Sequence, residues 1–444
     1  MPSPSDPPSG RHGPAMSPPG APARSADRAV AMRACVLREP GRVGTETVSL
    51  APPRAGEVRV RIAAAGVCHS DLHLVDGALG RGRWPLVPGH EGAGVVEAIG
   101  EGVTELAPGD HVVFSLVAPC GACPACRAGR RTLCGPAGAR GVAGTLADGS
   151  SRLAAADGAT LQHGLTVACF AERAVVSAGS AIPIPRELPL WQAALLGCGV
   201  ITGFGAVAHA ARVRIGERVC VVGCGGVGLQ VIAAARLAGA ATIVAVDRRA
   251  DKLERALARG ATDAVDASAG DAARAVVAIT GGVDHAFEVV GAAATIRLAW
   301  DALAPGGTAV VVGVAPVGVE VSLPAIELLS EKSLVGSYYG SADPALTLSG
   351  LVQLVRDGRL DLGSVVSHLI ELDDVPQALE RLRTGEGGRS IVVLDPELAG
   401  VEAIGEIRPG ASAAAIRTDP PDAGVADLIP RGAGIGHSNG EDER

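Results

Sequence analysis

The sequence is poor in aromatic side chains and nearly devoid of lysine. Aromatic residues make up 2% of the 444 residues, so the stacking platforms that bind single-stranded nucleic acid are not expected. Lys252 and Lys332 are the only lysines, and the net charge is −8. This charge argues against a general binder of nucleic acid or of anionic membranes. Hydrophobic residues still make up 48% of the chain, which excludes a wholly disordered protein.

Long apolar runs are also missing. No run of about 18 apolar residues is free of charges or helix breakers, so no membrane span is predicted. The N-terminus is rich in Pro and Ser and lacks the apolar segment of a secretory signal. We therefore expect a cytoplasmic protein whose ten cysteines stay reduced. In that setting, clustered cysteines indicate metal sites before disulfides.

Changes in texture divide the chain into segments. Residues 1–31 and 399–444 are predicted to be a disordered extension and a disordered tail. Residues 32–199 contain short β runs cut by Gly and Pro, which predict an antiparallel β domain, and residues 343–398 return to a mixed texture. Residues 200–342 alternate β-branched strands with helices, for example RVCVVG and TIVAVD with helices over 229–238 and 251–259. This alternation predicts βαβ units and a parallel sheet.

A glycine-rich turn lies between the first of these strands and its helix. Gly223, Gly225 and Gly228 form a GxGxxG motif, with Gly226 and Val227 inside it. The glycines permit a tight turn, close approach of a pyrophosphate and close packing of helix on strand. Backbone N–H groups at the start of the helix would face the anion. The motif therefore predicts a dinucleotide site.

An acidic residue in the expected place suggests which dinucleotide binds. Asp247 ends the next strand, nineteen residues after Gly228. A carboxylate there accepts hydrogen bonds from a ribose diol and repels a 2′-phosphate, which favours NAD over NADP. Arg248 and Arg249 follow directly and would suit a 2′-phosphate, so the NADP alternative stays open.

Four cysteines occur at the spacing of a metal site. Cys120, Cys123, Cys126 and Cys134 form a CxxCxxCx7C loop. Four thiolates complete a tetrahedral zinc site with no open position, which is typical of a structural site. An iron–sulfur cluster is the rival interpretation, and the long final gap favours zinc. Free thiols or disulfides are the remaining alternative.

Three further residues could form a second, open metal site. Cys68, His90 and Cys198 lie in GVCHSDLH, VPGHEGAGVV and LLGCGVITG. Taken singly, each would more often be a packed residue than a ligand. Together they supply two thiolates and one imidazole and leave a fourth zinc position for water or substrate. Zinc in such a site acts as a Lewis acid that lowers the pKa of a bound alcohol.

The neighbours of this set fit the same chemistry. Ser70 could hydrogen-bond the alcohol, and His73 could pass its proton to solvent. Asp71 and Glu91 could orient the ligands. For Asp71 and His73, an ordinary surface side chain is the alternative interpretation.

At this point the motifs resemble those of a known family. GVCHSDLH, GHEGAGVV, the four-cysteine loop, GCGVITG and GCGGVG occur in the order found in zinc-dependent medium-chain alcohol dehydrogenases, and the resemblance covers about Met32 to Pro396. It implies an α/β fold in which a GroES-like β catalytic domain is split around an inserted Rossmann domain with a doubly wound parallel sheet. It also implies two Zn²⁺ per subunit, NAD, an alcohol or aldehyde substrate, and a homodimer.

The resemblance assigns roles residue by residue. It implies that Cys68, His90 and Cys198 bind the catalytic zinc and that the four-cysteine loop binds the structural zinc. It further implies a proton relay of Ser70 and His73, a carboxylate at Asp71 that steadies His90, and an acidic residue behind the metal at Glu91. The implied cofactor contacts are Thr202 and Val227 to the nicotinamide, Lys252 to the adenosine ribose, and Arg389 to the pyrophosphate.

Three features separate the chain from some members of this family. His69 stands where many members carry an arginine that contacts the pyrophosphate, and we predict that His69 takes this role. Cys198 replaces the glutamate of polyol dehydrogenases, which disfavours sorbitol-like substrates. The long stretch from Cys134 to Cys198 resembles the dimeric alcohol and glutathione-linked formaldehyde dehydrogenases.

Three functional hypotheses follow. The first is an NAD-dependent zinc alcohol dehydrogenase that transfers hydride from an alcohol to the nicotinamide. The second is a dehydrogenase that oxidises the hydroxymethyl adduct of glutathione or mycothiol. The third, from a different class, is a redox-inactive NAD-binding protein, although such a protein would not need the open metal set.

Overall fold

The computed structural model describes residues 28–78 and 84–406. The strands in this part of the chain are β1 Val30–Glu39, β2 Arg42–Leu50, β3 Glu57–Gly66, β4 Leu86–Val87, β5 Glu91–Ile99, β6 His111–Phe114, β7 Leu153–Ala155, β8 Thr160–His163, β9 Arg173–Ser177, β10 Ala181–Pro183, β11 Arg218–Val222, β12 Thr242–Asp247, β13 Asp263–Asp266, β14 Val283–Glu288, β15 Leu303–Val311, β16 Ser333–Gly336, β17 Val366–Ile370, β18 Arg389–Val393 and β19 Gly405–Glu406. The α-helices are α1 His69–Val75, α2 Pro124–Arg127, α3 Gly135–Ala143, α4 Leu190–Ala193, α5 Gly199–Gly205, α6 Gly226–Leu237, α7 Ala250–Arg259, α8 Ala272–Thr280, α9 Ala293–Asp301, α10 Pro344–Arg356, α11 Val375–Thr384 and α12 Pro396–Ala399.

Several helices begin or end at residues that favour a helix terminus. The Asp343 side chain accepts a hydrogen bond from the Ala345 N–H at 3.0 Å, and Pro344 opens α10 without needing an N–H partner. Helix α7 ends at Gly260, whose φ of +114° is a conformation that glycine adopts most easily. Helix α6 begins at Gly226, three residues before the predicted start, because the last glycines of the motif form its first turn.

Two β assemblies come from the N-terminal half and the C-terminal end. Strands β1, β2, β7, β8 and β4 close into a barrel, and β10, β6, β5, β3, β18, β17 and β19 form a sheet in that order, with β9 also paired to β3. Strands β3 and β5 are antiparallel, with Gly66 opposite Glu91. This register brings Cys68, just after β3, next to His90, just before β5.

The middle of the chain forms a six-stranded parallel sheet in the order β13, β12, β11, β14, β15, β16. The glycine motif follows β11 and Asp247 ends β12, and these two strands are neighbours. The glycine loop and the acidic residue therefore lie at the same edge of the sheet, which is where parallel sheets bind their ligands. The α/β fold class is confirmed.

The core is built from small aliphatic side chains, as the scarcity of aromatics requires. Ala, Val, Leu and Ile supply most of the buried side chains, and the largest fully buried ones include Trp300, Phe114, Phe170 and Phe287. One apolar cluster runs from the β assemblies through α5 and α6 to the parallel sheet. The two regions that supply the predicted sites thus share a continuous core.

The ordered part of the chain is longer at both ends than predicted. Strand β1 begins at Val30, inside the predicted extension 1–31, because its first residues pair with the end of β2. At the other end, residues 405–406 of the predicted tail 399–444 form β19, which pairs with β17. The remainder of the extension and tail lies outside the described residues.

The helices of the described ranges include none that is both long and apolar enough to cross a membrane alone. One bent pair, Leu190–Gly197 with Gly199–Ala211, meets that test by length and composition.

Candidate active site and metal centres

The structure brings together the three residues predicted to form the open metal site. Cys68 caps α1, His90 precedes β5, and Cys198 joins a short 3-10 helix to α5. Their ligand atoms and a carboxylate oxygen of Glu91 all lie within 4.8 Å of one another. All four residues are buried. Two thiols and an imidazole so enclosed form a donor set that suits zinc and leaves a fourth position open.

Asp71 orients the His90 ring. The Asp71 carboxylate accepts hydrogen bonds from the Cys68 N–H at 3.1 Å and the Gly89 N–H at 3.0 Å, and it contacts His90 Nδ1 at 3.1 Å. Burial opposes protonation of His90, but the charge and hydrogen bond of Asp71 outweigh it and raise the pKa of His90 to about 10. The other ring nitrogen, Nε2, is buried and has no hydrogen-bond partner. A metal ion in the donor set would satisfy that atom.

The two cysteines perturb each other strongly. The Cys198 thiol and the positive charge of His90 hold the pKa of Cys68 well below its ordinary value, whereas contact with Cys68 and burial raise the pKa of Cys198. Two buried thiols in contact cannot both ionise easily without a cation. The residues therefore fit a divalent metal, which would stabilise both thiolates.

The Glu91 carboxylate lies beside Cys68, His90 and Cys198 and pairs with Arg389. One Glu91 oxygen accepts a hydrogen bond from the Gly199 N–H at 3.2 Å, and the other is paired with the Arg389 guanidinium. Glu91 is fully buried and Arg389 is nearly so. A buried carboxylate of this kind needs its cationic partner to offset the cost of leaving water.

The proposed relay residues share helix α1. Ser70 Oγ lies 3.9 Å from Cys68 Sγ, next to the metal set. His73 follows three residues later, which is one turn along the same face of a helix. His73 is only partly buried, so it can exchange protons with solvent.

The four cysteines of the other motif also converge. The sulfur atoms of Cys120, Cys123, Cys126 and Cys134 lie within 4.8 Å of one another. The Cys123 N–H donates to Cys120 Sγ and the Cys120 N–H donates to Cys134 Sγ, each at 3.3 Å. Backbone hydrogen bonds from Ala122 and Cys123 lower the pKa of Cys120 to about 6, which favours the thiolate that metals bind. No further position is open in a set of four sulfurs, so this loop fits a structural ion.

A cavity lies beside the glycine motif. Of the predicted cofactor residues, it is lined by His69, Gly225, Gly226, Lys252 and Arg389. His69, the residue in the place of the usual arginine, lies in the cavity wall with part of its surface exposed to solvent. A Cβ on Gly226 would lie 2.6 Å from Arg389 Cδ, so only glycine lets the arginine reach this wall. Lysine and arginine beside a helix N-terminus make the cavity suitable for a pyrophosphate.

Asp247 is held by backbone groups. Its Oδ2 accepts a hydrogen bond from the Cys224 N–H at 2.8 Å, inside the glycine motif. Its Oδ1 accepts from the N–H groups of Arg248 at 2.8 Å and Arg249 at 3.1 Å. The carboxylate thus fixes the glycine loop as well as the charge at the end of β12. Arg249 itself pairs with Asp251 at 2.9 Å.

Thr202 lies on α5 and Val227 on α6, and these two helices pack against each other. Thr202 lies one turn after Cys198, and its N–H donates a hydrogen bond to the Cys198 carbonyl oxygen at 2.9 Å. A Cβ on the next residue, Gly203, would lie 3.0 Å from the Val227 carbonyl oxygen, so the two helices pack closely. This contact joins the metal set to the glycine motif.

Comparisons with known proteins place this geometry in a family. Residues 54–186 match the Alcohol dehydrogenase GroES-like domain family, and residues 226–356 match the Zinc-binding dehydrogenase family. An S-(hydroxymethyl)glutathione dehydrogenase of Synechocystis sp. is 38% identical over 81% of this chain and 99% of its own length. The chain belongs to the zinc-dependent medium-chain alcohol dehydrogenases.

Other members of the zinc alcohol dehydrogenase family agree with this result. An NDMA-dependent alcohol dehydrogenase of Amycolatopsis methanolica is 39% identical over 81% of this chain and 98% of its own length. Among solved structures, an alcohol dehydrogenase zinc-binding domain protein from Burkholderia ambifaria has a TM-score of 0.79 and 37% identity over 82% of this chain and 99% of that one. Benzyl alcohol dehydrogenase from Acinetobacter calcoaceticus has a TM-score of 0.78 and 31% identity over the same shares.

The cavity beside the glycine motif has further lining residues that were not predicted from the sequence. Arg255 and residues 385–388 also line it, and the Arg255 guanidinium donates to Ser367 Oγ at 3.1 Å. The signal was present in the sequence, because GEGG directly precedes Arg389. Glycines next to a candidate phosphate ligand indicate a backbone that approaches its ligand closely.

Proposed function

We propose that this chain is an NAD-dependent alcohol dehydrogenase that oxidises an alcohol to an aldehyde or ketone. The observation that carries the proposal is the buried Cys68, His90 and Cys198 set, in which His90 Nε2 lacks a partner, beside the cavity of the glycine motif. Zinc held by these three side chains would supply a Lewis acid that lowers the pKa of the alcohol hydroxyl. NAD in the cavity would supply the hydride acceptor.

The protein side chains orient the ligands and move the proton. Asp71 holds the His90 ring so that Nε2 faces the set. Ser70 Oγ, next to Cys68, would accept the proton of the alcohol hydroxyl while releasing its own hydroxyl proton toward His73. His73, one turn further along α1 and partly exposed, passes the proton to solvent.

The dinucleotide contacts come from residues on several elements. Backbone N–H groups of Gly225, Gly226 and Val227 at the start of α6 face the pyrophosphate, together with Arg389 and His69. Gly223 and Gly228 let the loop turn, since a Cβ on Gly228 would lie 1.9 Å from the Gly223 carbonyl oxygen. Thr202 and Val227 contact the nicotinamide.

The adenosine end determines the choice of cofactor. Lys252 and Asp247 contact the adenosine ribose. The Asp247 charge repels a 2′-phosphate, which supports NAD over NADP.

The four-cysteine loop would hold a second, structural zinc ion. Six cysteines in the two sets must stay reduced to bind metal, so we propose that the enzyme works in a reducing compartment such as the cytoplasm.

A second candidate substrate is a hydroxymethyl thiol adduct. The S-(hydroxymethyl)glutathione dehydrogenase of Synechocystis sp. is 38% identical to this chain. The same metal set and cofactor cavity would serve both reactions, since each removes hydride from a carbon that carries a hydroxyl.

We also propose that the enzyme is a homodimer. Strand β16 is the last strand of the parallel sheet, and its four residues are all exposed. Exposed apolar side chains on and before it include Ile326, Leu328, Leu329 and Leu334. A second copy of β16 would pair with it about a two-fold axis and cover these side chains.

One assay tests the enzymatic proposal. Primary, secondary and aromatic alcohols, and formaldehyde with or without glutathione or mycothiol, are offered to the enzyme with NAD or NADP. We expect NADH production, and loss of it in Cys198→Ala but not in Cys220→Ala, a buried cysteine of β11. Equal activity of Cys198→Ala and wild type would refute the metal mechanism. Oxidation of formaldehyde only with added thiol would select the second candidate.

A further inference from the structure

The chain returns from the parallel sheet to α10 through residues 337–342, which pack against the Cys198 region. Two residues of this segment that carry side chains have left-handed backbones, Tyr339 with φ +51° and Ser341 with φ +59°. Such conformations persist only where the surrounding structure holds them. The Gly340 backbone packs directly on α5, because a Cβ on Gly205 would lie 2.2 Å from the Gly340 carbonyl oxygen.

Asp343, the residue that follows this segment, anchors it to the four-cysteine loop. Arg131, between Cys126 and Cys134, pairs with Asp343 at 2.9 Å. The Asp343 side chain also accepts the hydrogen bond that begins α10. Residues 337–342 are thus held at their C-terminal end as well as against α5.

The Tyr339 side chain contacts the Gly197 peptide. Its side chain is buried, with 4% of its surface exposed. Its hydroxyl donates a hydrogen bond to the Gly197 carbonyl oxygen at 2.5 Å. Gly197 directly precedes Cys198, and a Cβ on it would lie 2.5 Å from the Phe114 carbonyl oxygen. The Gly197 peptide is therefore confined by a strand on one side and by Tyr339 on the other.

Cys198 needs such an external restraint. Its backbone, φ −147° and ψ −68°, is neither helical nor extended, and it joins two helical segments. Rotation about its N–Cα bond changes the direction of the side chain relative to the preceding peptide plane. A hydrogen bond to the Gly197 carbonyl fixes this peptide plane, from which the Cys198 side chain projects.

We propose that Tyr339 is a positioning residue for the metal, whose hydroxyl fixes the Gly197–Cys198 peptide and so directs the Cys198 sulfur toward Cys68 and His90. The inference rests on the proposed function, since it takes Cys198 as a zinc ligand. Tyr339 acts through the peptide backbone, by its hydrogen bond to the Gly197 carbonyl oxygen.

The test compares Tyr339→Phe with Tyr338→Phe. Both changes remove one hydroxyl, but Tyr338 is half-exposed, with 53% of its surface in solvent. Loss of zinc to a chelator is followed for each set of ligands, and the visible spectrum is recorded after cobalt replaces zinc. In Tyr339→Phe we expect the Cys68, His90 and Cys198 set to lose metal about 10- to 100-fold more readily, the range typical for residues that orient ligands. The cobalt spectrum of this set should also change, because it reports ligand geometry.

The four-cysteine loop serves as the internal control. It should retain its metal in both variants, which also shows that Tyr339→Phe is folded. Wild-type metal retention and spectrum in Tyr339→Phe would overturn the proposal, and so would equal loss from both sets. Wild-type protein that binds no metal at Cys68, His90 and Cys198 would instead overturn the proposed function, and this inference with it.

Discussion

Replacing Asp71 with asparagine separates the two tasks of its carboxylate. Asp71 Oδ1 accepts a hydrogen bond from the Gly89 N–H and contacts His90 Nδ1, whereas Oδ2 accepts a hydrogen bond from the Cys68 N–H. An asparagine can keep its oxygen toward His90, but its amide NH₂ then faces the Cys68 N–H. One buried donor loses its acceptor, which costs about 1–3 kcal/mol of folding stability. His90 also loses its anionic partner, and metal affinity should fall by roughly 10- to 100-fold.

The assay measures zinc affinity by competition with a chromophoric chelator, and thermal unfolding of the zinc-loaded protein. Asp76→Asn is the matched control, because Asp76 caps the same helix and is paired with Arg383 near the surface at 2.7 Å. A pair of that kind contributes about 0–1 kcal/mol. Unchanged zinc affinity in Asp71→Asn would refute the orienting role of Asp71. An equal loss in Asp76→Asn would show that the effect is merely one of net charge.

Two further predictions concern pH and the cofactor. Burial lowers the pKa of His163 to about 3 in the folded protein. In the unfolded chain this imidazole takes up its proton near pH 6.5, so folding stability should fall as the pH drops below about 6.5. From pH 7.5 to 5 the loss of stability that His163 causes is about 2 kcal/mol. In urea titrations His163→Gln should reduce the pH dependence more than His209→Gln does, because His163 is buried and His209 is exposed. Asp247→Gly should raise kcat/KM for NADP relative to NAD about tenfold or more, which is equivalent to about 1.4 kcal/mol. The same change should lower the melting temperature, because the Cys224 N–H loses its hydrogen-bond acceptor. Asp271→Gly removes an exposed carboxylate that likewise accepts a backbone hydrogen bond, and it should leave the cofactor ratio unchanged. A wild-type enzyme that already prefers NADP would contradict the role of Asp247.

Local chemistry made much of this molecule predictable from sequence. The GxGxxG motif between a β-branched strand and a helix indicates its own conformation, because only glycine fits positions such as Gly228. The cysteine spacing in the four-cysteine loop likewise brings the sulfurs together within one short segment. The alternation of strands and helices predicted the parallel sheet, whose strands β11 and β12 lie where expected.

Contacts between distant segments were not predictable in the same way. Arg389 pairs with Glu91 across 298 residues, and Tyr339 reaches Gly197 across 142 residues. Neither pair has a local pattern, since each depends on how two separately formed elements pack. Arg389 was predicted to contact pyrophosphate, and the structure adds that its guanidinium also pairs with the carboxylate behind the metal set. Strand β19, inside the predicted tail, was missed for a related reason, because it is only two residues long and is defined by its pairing with β17.

Anomalous X-ray scattering at the zinc absorption edge, from crystals grown with NAD, tests the central claim most directly. The account predicts a peak at about 2.0–2.3 Å from Cys68 Sγ, His90 Nε2 and Cys198 Sγ, with the cofactor in the cavity beside Gly226 and Lys252. A second peak should lie among the sulfurs of the four-cysteine loop. Absence of any peak between Cys68, His90 and Cys198 in zinc-saturated protein would contradict the account.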